Sequence, residues 1–356
     1  MITNYNNIVR HKQQIQTKEE SMEEDYMLRF VKKWGVILGV ASMALFASGC
    51  GNTNIAGSVQ ESGKLSVYTT IYPLYYVADR IGGEYVSIKN VVPAGVEPHD
   101  YEPTAQDMVA ISKANVLIYN GGGLEAWVEK AVKSLNQANL LAVNTTEGLT
   151  LLASEEHDHH HEGDKGHEGE SAGHVHEHEH DHGEFDPHVW LDPTMLEKQA
   201  AQVKDAFVKA DQAHKEQFEQ NYKALVNDLN KLDQDFKTMV EQSPKKEILV
   251  SHKAFTYLAA RYGLEQIAIS GISPDDEPSP SELKNLVEKV KQKNIKYVMF
   301  ETLTSPKVAE VIARETKAQT AILNPLEGLT TEEQTAGKDY ISIMRENLEV
   351  LRQALR

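Results

Sequence analysis

Cysteine is almost missing from this sequence: Cys50 is the only one in 356 residues, so no disulfide can form within the chain. An excess of positive charge is missing as well. Lys and Arg number 36 against 53 Asp and Glu, a formal charge of −17, which excludes binding to a nucleic-acid backbone and makes cations the natural partners. The apolar run Trp34 to Ser48 is about 15 residues long, short of the roughly 20 that a membrane-spanning helix needs. What is present, 40% hydrophobic and 25% charged residues, is the composition of a folded globular protein, in a chain long enough for two cores.

The position of Cys50 carries information. Arg29, Lys32 and Lys33 precede the uncharged run, and Ala47-Ser48-Gly49-Cys50 closes it, the pattern of a lipoprotein signal peptide whose cysteine becomes the lipidated first residue. Residues 27–49 are expected to be that signal, 1–26 an over-extended start ahead of Met27, and 50–63 the lipidated Cys with a small, polar tether. The expected location is the outer face of the cell membrane, with the lipid as anchor.

From Lys64 onward short apolar runs alternate with helical patterns, which predicts an α/β fold with mainly parallel sheets. Leu65–Thr69 and Val116–Tyr119 read as strands, as do residues 248–251, 295–301 and 321–324. Phe218, Tyr222, Leu225, Leu229, Leu232, Phe236 and Met239 form one apolar stripe, predicting a helix over residues 215–242 that is about 40 Å long. Ser279-Pro280-Ser281-Glu282 is a capping box opening another helix, which should bury Leu283, Leu286, Val287 and Val290. The expected organisation is an N-terminal lobe over 64–210, a linking helix over 211–242 and a C-terminal lobe over 246–356.

Between Leu152 and Phe185 periodicity stops. Residues 154–186 hold twelve Asp or Glu and one Lys, and ten of the chain's fifteen histidines: His157, His159, His160, His161, His167, His174, His176, His178, His180 and His182. A segment with so little apolar surface is expected to be an inserted loop, 155–184, that gathers metal ions unselectively. It contains a literal H-E-x-x-H at His176–His180, but nothing in its composition supports the helix on which that motif depends, so the match is compositional.

Outside this segment His11 lies in the presumed discarded start and His214 in a polar run before the long helix. Three more stand at edges between strand and helix: His99 in G-V-E-P-H-D-Y-E-P, His188 in D-P-H-V-W-L-D-P, and His252 after the apolar strand I-L-V-S. Clefts of open α/β sheets lie at such carboxyl strand ends. Three imidazoles and a carboxylate suit tetrahedral Zn²⁺, although spacing alone does not choose the carboxylate.

Five motifs in order, G-V-E-P-H-D-Y-E-P, D-P-H-V-W-L-D-P, S-H-K-A-F, G-I-S-P-D-D-E-P-S-P and L-N-P-L-E-G-L, resemble the zinc- and manganese-binding lipoproteins of ABC importers, the cluster A-I solute-binding family. The resemblance covers residues 64–356. It implies two (β/α) lobes joined by a rigid helix with the metal site in the interlobe cleft, and a monomer that delivers metal to an ABC permease. Carried over by motif, the ligands are His99 and His188 from the first lobe, and His252 and Glu327 from the second. Manganese binders of the family tend to have a carboxylate in place of His252 and an Asp in place of Glu327, so the zinc branch is expected, with Zn²⁺ rather than Mn²⁺ as cargo. Glu301, ending the run Y-V-M-F-E, competes from pattern alone for the fourth position, as does water. Asp186, Asp192 and Asp276 are expected in supporting roles, and Trp190 and Phe255 in the cleft wall. The rival functions are a surface-anchored zinc hydrolase, using Glu301 or Glu97 as base, and a manganese-binding or adhesive surface lipoprotein.

Overall fold

The structure, a computed structural model, describes residues 63–135, 140–154, 185–276 and 278–356. The signal and tether readings, Cys50 and all ten clustered histidines fall outside the described residues.

The first lobe runs β1 (Leu65–Thr69), α1 (Tyr72–Gly82), β2 (Val86–Asn90), α2 (Ala105–Ile111), β3 (Val116–Tyr119), α3 (Val128–Leu135) and β4 (Leu141–Asn144). Its strands pair in parallel in the order β2-β1-β3-β4, with Leu65 opposite Val86 and Thr69 opposite Asn90. Helix α4 (Pro193–Ala210) and the long α5 (Lys215–Glu241) lead to the second lobe. There β5 (Glu247–Val250), α6 (Thr256–Tyr262), β6 (Glu265–Ala268), α7 (Pro280–Gln292), β7 (Tyr297–Phe300), α8 (Lys307–Thr316) and β8 (Gln319–Ile322) form a second parallel sheet, ordered β6-β5-β7-β8. A short α9 (Thr331–Thr335) and α10 (Tyr340–Ala354) follow. Strands joined by helical crossovers must be parallel, and each sheet needs cover on its faces, so the alternation in the sequence dictates this architecture.

The stripe on α5 behaves as its spacing requires: Phe218, Leu225, Leu229, Leu232, Phe236 and Met239 are buried, while Tyr222 is half-buried. These side chains belong to one apolar cluster that also contains Val67 and Ile118 of the first sheet and Ile248, Val250 and Met299 of the second. A single core thus runs beneath both lobes. Helix α10 shares the bridging: Tyr340 stacks on Tyr76 of α1 at 5.6 Å and donates its hydroxyl to the Trp190 carbonyl at 2.7 Å.

Three details differ from the sequence expectation. The strand expected over 321–324 is Gln319–Ile322, because the Asn324 N–H donates to Asn347 Oδ1 (2.9 Å) and the chain turns away. The strand expected over 295–301 is Tyr297–Phe300, which leaves Glu301 just past its end. The capping box at Ser279 forms, but of the apolar residues on α7 only Val290 is buried; Leu283, Leu286 and Val287 stay half-buried on an outer helix.

Candidate metal centre

Four donors converge at the carboxyl ends of the two sheets. His99 follows β2, His188 follows β4 and the histidine-rich segment, His252 sits two residues past β5, and Glu327 lies in the loop after β8. Parallel strands all point their carbonyl ends the same way, so the loops that leave them crowd one rim in each lobe, and the two rims face each other. His188 and His252 are fully buried and Glu327 nearly so; the His99 side chain is 7% exposed.

The donor atoms are His Nε2 and Glu327 Oε1. His99 to His188 is 3.2 Å, His99 to Glu327 3.5 Å, His188 to Glu327 3.1 Å, His188 to His252 3.4 Å and His252 to Glu327 3.2 Å. An ion bound by four ligands at about 2.0 Å has donors about 3.3 Å apart along each tetrahedral edge. Five of the six edges thus match a tetrahedral cage for a zinc-sized ion, and all four donor atoms lie within 4.8 Å of one another.

Groups behind the imidazoles set their orientation. Asp186 Oδ1 lies 2.8 Å from His188 Nδ1 and also accepts the His188 N–H at 2.9 Å. Glu301 Oε1 lies 2.5 Å from His252 Nδ1 and accepts the Ser251 hydroxyl as well. A carboxylate at Nδ1 accepts the N–H there, which keeps the ring proton on Nδ1 and leaves the Nε2 lone pair facing the centre. Geometry thus places Glu301 behind a ligand rather than at the fourth vertex. Asp192 is the N-cap of α4, accepting from the Thr194 N–H at 2.8 Å, and Asp276 accepts the Ser273 N–H at 3.2 Å. Trp190 is buried with its ring 5.3 Å from that of His188, and its indole N–H donates to the Pro325 carbonyl at 2.7 Å. Phe255 is buried at the start of α6.

The Glu327 loop is held from several sides. Leu326 takes a positive φ of 60°, a conformation that costs a non-glycine residue about 1 kcal/mol or more. Its N–H donates to Asn324 Oδ1 (2.7 Å), and Asn347 on α10 donates to the Asn324 carbonyl (2.7 Å). The resulting turn aims Glu327 into the cage.

Burial opposes charge on every group here, so the shifts report what overcomes it. In His99 burial prevails and lowers the pKa. In His188 burial is outweighed by Asp186 and Glu327, and in His252 by Glu301 and Glu327, so both are raised, His252 strongly. Burial would raise Glu327, but the charge of His252 and hydrogen bonds from the three imidazoles hold it well below the usual carboxylate range. Glu97, which accepts the His99 N–H at 3.1 Å, is pushed up to about 10 by burial and then by Glu327.

The family described as "Zinc-uptake complex component A periplasmic", ZnuA, matches residues 67–354. This chain belongs to the ZnuA family. The high-affinity zinc uptake system protein ZnuA of Bacillus subtilis is 39% identical over 325 residues, covering 91% of this chain and 98% of that protein. The zinc-binding lipoprotein AdcA of Streptococcus pneumoniae is 37% identical over 326 residues, covering 91% of this chain but 61% of its own longer one. Among solved structures, the Zn(II)-bound ZnuA-like domain of that AdcA superposes with a TM-score of 0.68 at 35% identity, covering 82% of this chain and 99% of that domain. The laminin-binding protein Lmb of Streptococcus agalactiae, described as bifunctional with adhesin and metal-transporting activity, gives 0.70 at 29% identity, covering 82% and 100%. The two parallel-sheet lobes described above are thus the ZnuA-type fold.

The sequence brought forward all four converging residues. It expected Asp186 in a supporting role, as found two residues before His188, and set Glu301 as a competitor for the fourth position, whereas Glu301 stands behind His252, at the end of the strand beside the one leading to it.

Proposed function

We propose that the chain captures Zn²⁺ outside the cytoplasm in the interlobe cage and delivers it to the permease of an ABC importer, with His99, His188 and His252 Nε2 and Glu327 Oε1 as its ligands. The observation that carries this reading is the set of donor separations, five of the six edges at 3.1 to 3.5 Å and all within 4.8 Å, which fits a four-coordinate cation. Membership of the ZnuA family supplies the transport context. A lipid on Cys50 would hold the protein at the outer face of the membrane, in keeping with the naming of AdcA as a lipoprotein.

The arrangement favours holding metal over hydrolysis. A catalytic zinc keeps one position open for water and a free general base beside it. In support of this, Glu327 Oε1 lies 3.2 Å from His252 Nε2, where a fourth ligand would stand, and Glu301 is engaged by His252 and Ser251. The likeness to Lmb favours adhesion as a second role of the same surface protein, which binding to immobilised laminin would test.

The decisive experiment is competitive zinc titration with mass spectrometry of the bound metal, on the chain with and without residues 155–184. One tight Zn²⁺ that survives this deletion and is lost in His252→Ala is the expected result. Loss of all tight binding with the deleted segment would move the site out of the cleft.

A further inference from the structure

Residues 154 and 185 flank the histidine-rich segment, and the neck they form is fastened to the opposite lobe through Tyr257. Ala153 and Phe185 make an antiparallel bridge, and the Asp186 N–H donates to the Leu152 carbonyl at 2.9 Å. Tyr257 of α6 reaches across to both strands of this neck. Its hydroxyl donates to the Asp186 carbonyl at 2.8 Å and accepts the Leu152 N–H at 2.9 Å. The ring is 4% exposed and packs with Val189 and Met195. Beside it, the Thr256 hydroxyl accepts from Gln266 Nε2 at 3.0 Å.

Asp186 is the residue that orients His188, and α6 begins four residues after His252. We propose that Tyr257 is an interlobe positioning residue: its hydroxyl fixes the Asp186 backbone so that the Asp186 carboxylate keeps His188 aimed into the cage. This rests on the reading of the cage as the zinc site. Its consequence is specific. Movement of α6 away from the first lobe would disturb His252 directly and His188 through Asp186, so that one displacement slackens two ligands from different lobes. A buried tyrosine that merely fills space would not link them, because packing needs the ring and not the hydroxyl.

The test compares Tyr257→Phe with Tyr262→Phe in the full chain. Tyr262 lies on the same helix, and its hydroxyl donates to Asp233 at 3.2 Å, away from the cage. Zinc affinity by chelator competition, the rate of zinc loss into excess chelator, and the zinc-free melting temperature are measured for each, with His188→Ala as reference. Tyr257→Phe should bind zinc more weakly and release it faster by on the order of tenfold, the low end for losing an outer partner of a metal-bound imidazole. Tyr262→Phe should hold and release zinc as the unmodified chain does, even where its melting temperature drops. If Tyr257→Phe keeps the unmodified affinity and release rate, or changes them no more than Tyr262→Phe does, the positioning role is overturned while the site stands. If His188→Ala binds zinc as tightly as the unmodified chain, the site itself is wrong, and the role of Tyr257 falls with it.

Discussion

His188 and His252 each present Nδ1 to a carboxylate and Nε2 to the common centre, and this division of labour makes the outer carboxylates testable one at a time. Glu301→Gln keeps the shape but removes the charge behind His252; zinc affinity should fall by about 10- to 100-fold with the fold intact, as read by competition titration alongside circular dichroism. An unchanged affinity would mean that Glu301 is only structural. The protonation of His252 gives a second prediction, in which the sign matters. Its pKa is raised well above 6.5 by Glu301 and Glu327 against the pull of burial. In the zinc-free chain it therefore adds stability that is complete below about 6.5 and is lost as pH rises through the folded value. Zinc needs the same nitrogen without its proton, so the loaded form gains on the empty one over that interval. The difference in melting temperature between zinc-loaded and zinc-free protein should widen from about pH 6 to about pH 8. A difference that stays flat or narrows over this range would count against protons and zinc competing for one cage.

At the scale of elements, α5 and α6 meet through an ion cluster as well as through the core. Asp233 of α5 is buried and accepts from Arg261 Nε of α6 at 2.9 Å and from Lys237 at 2.7 Å. Although burial alone would raise its pKa, these partners hold it below the ordinary value of 3.8. A depressed carboxylate stabilises above its unfolded pKa and loses that contribution as pH falls through the folded one. Asp233→Asn should cost about 1–3 kcal/mol at neutral pH, judged from the loss of hydrogen bonds to charged groups. The gap should close as denaturation is measured towards about pH 3. A gap that persists in acid would assign the loss to packing instead. The long helix itself was legible from its stripe, Phe218 to Met239, because 3.6-residue periodicity is written locally. So was the capping box at Ser279, a pattern of neighbouring residues. The end of β8 was less legible, since Asn347, 23 residues further on, takes the Asn324 N–H that a strand would have used. For the same reason the four cage residues could be found by motif, whereas Tyr257 had no local signal: its partners lie 71 and 105 positions away.

For the whole molecule, the shared core beneath the two sheets sets the range of motion. Val67 and Ile118 of one lobe and Ile248, Val250 and Met299 of the other lie in one cluster with α5, so large lobe separation would expose apolar surface from both. Zinc binding is expected to change the radius of gyration in small-angle scattering by on the order of 1 Å or less, unlike binding proteins that close about a flexible hinge. A contraction of several ångströms would refute the shared-core argument. The same core bears on how cargo leaves. A receptor that closes on its ligand stores strain that can later push the lobes apart; a body that scarcely moves on loading has stored none. In mechanical terms this molecule is a clamp without a spring, and the work of prising the zinc out falls to whatever it docks against.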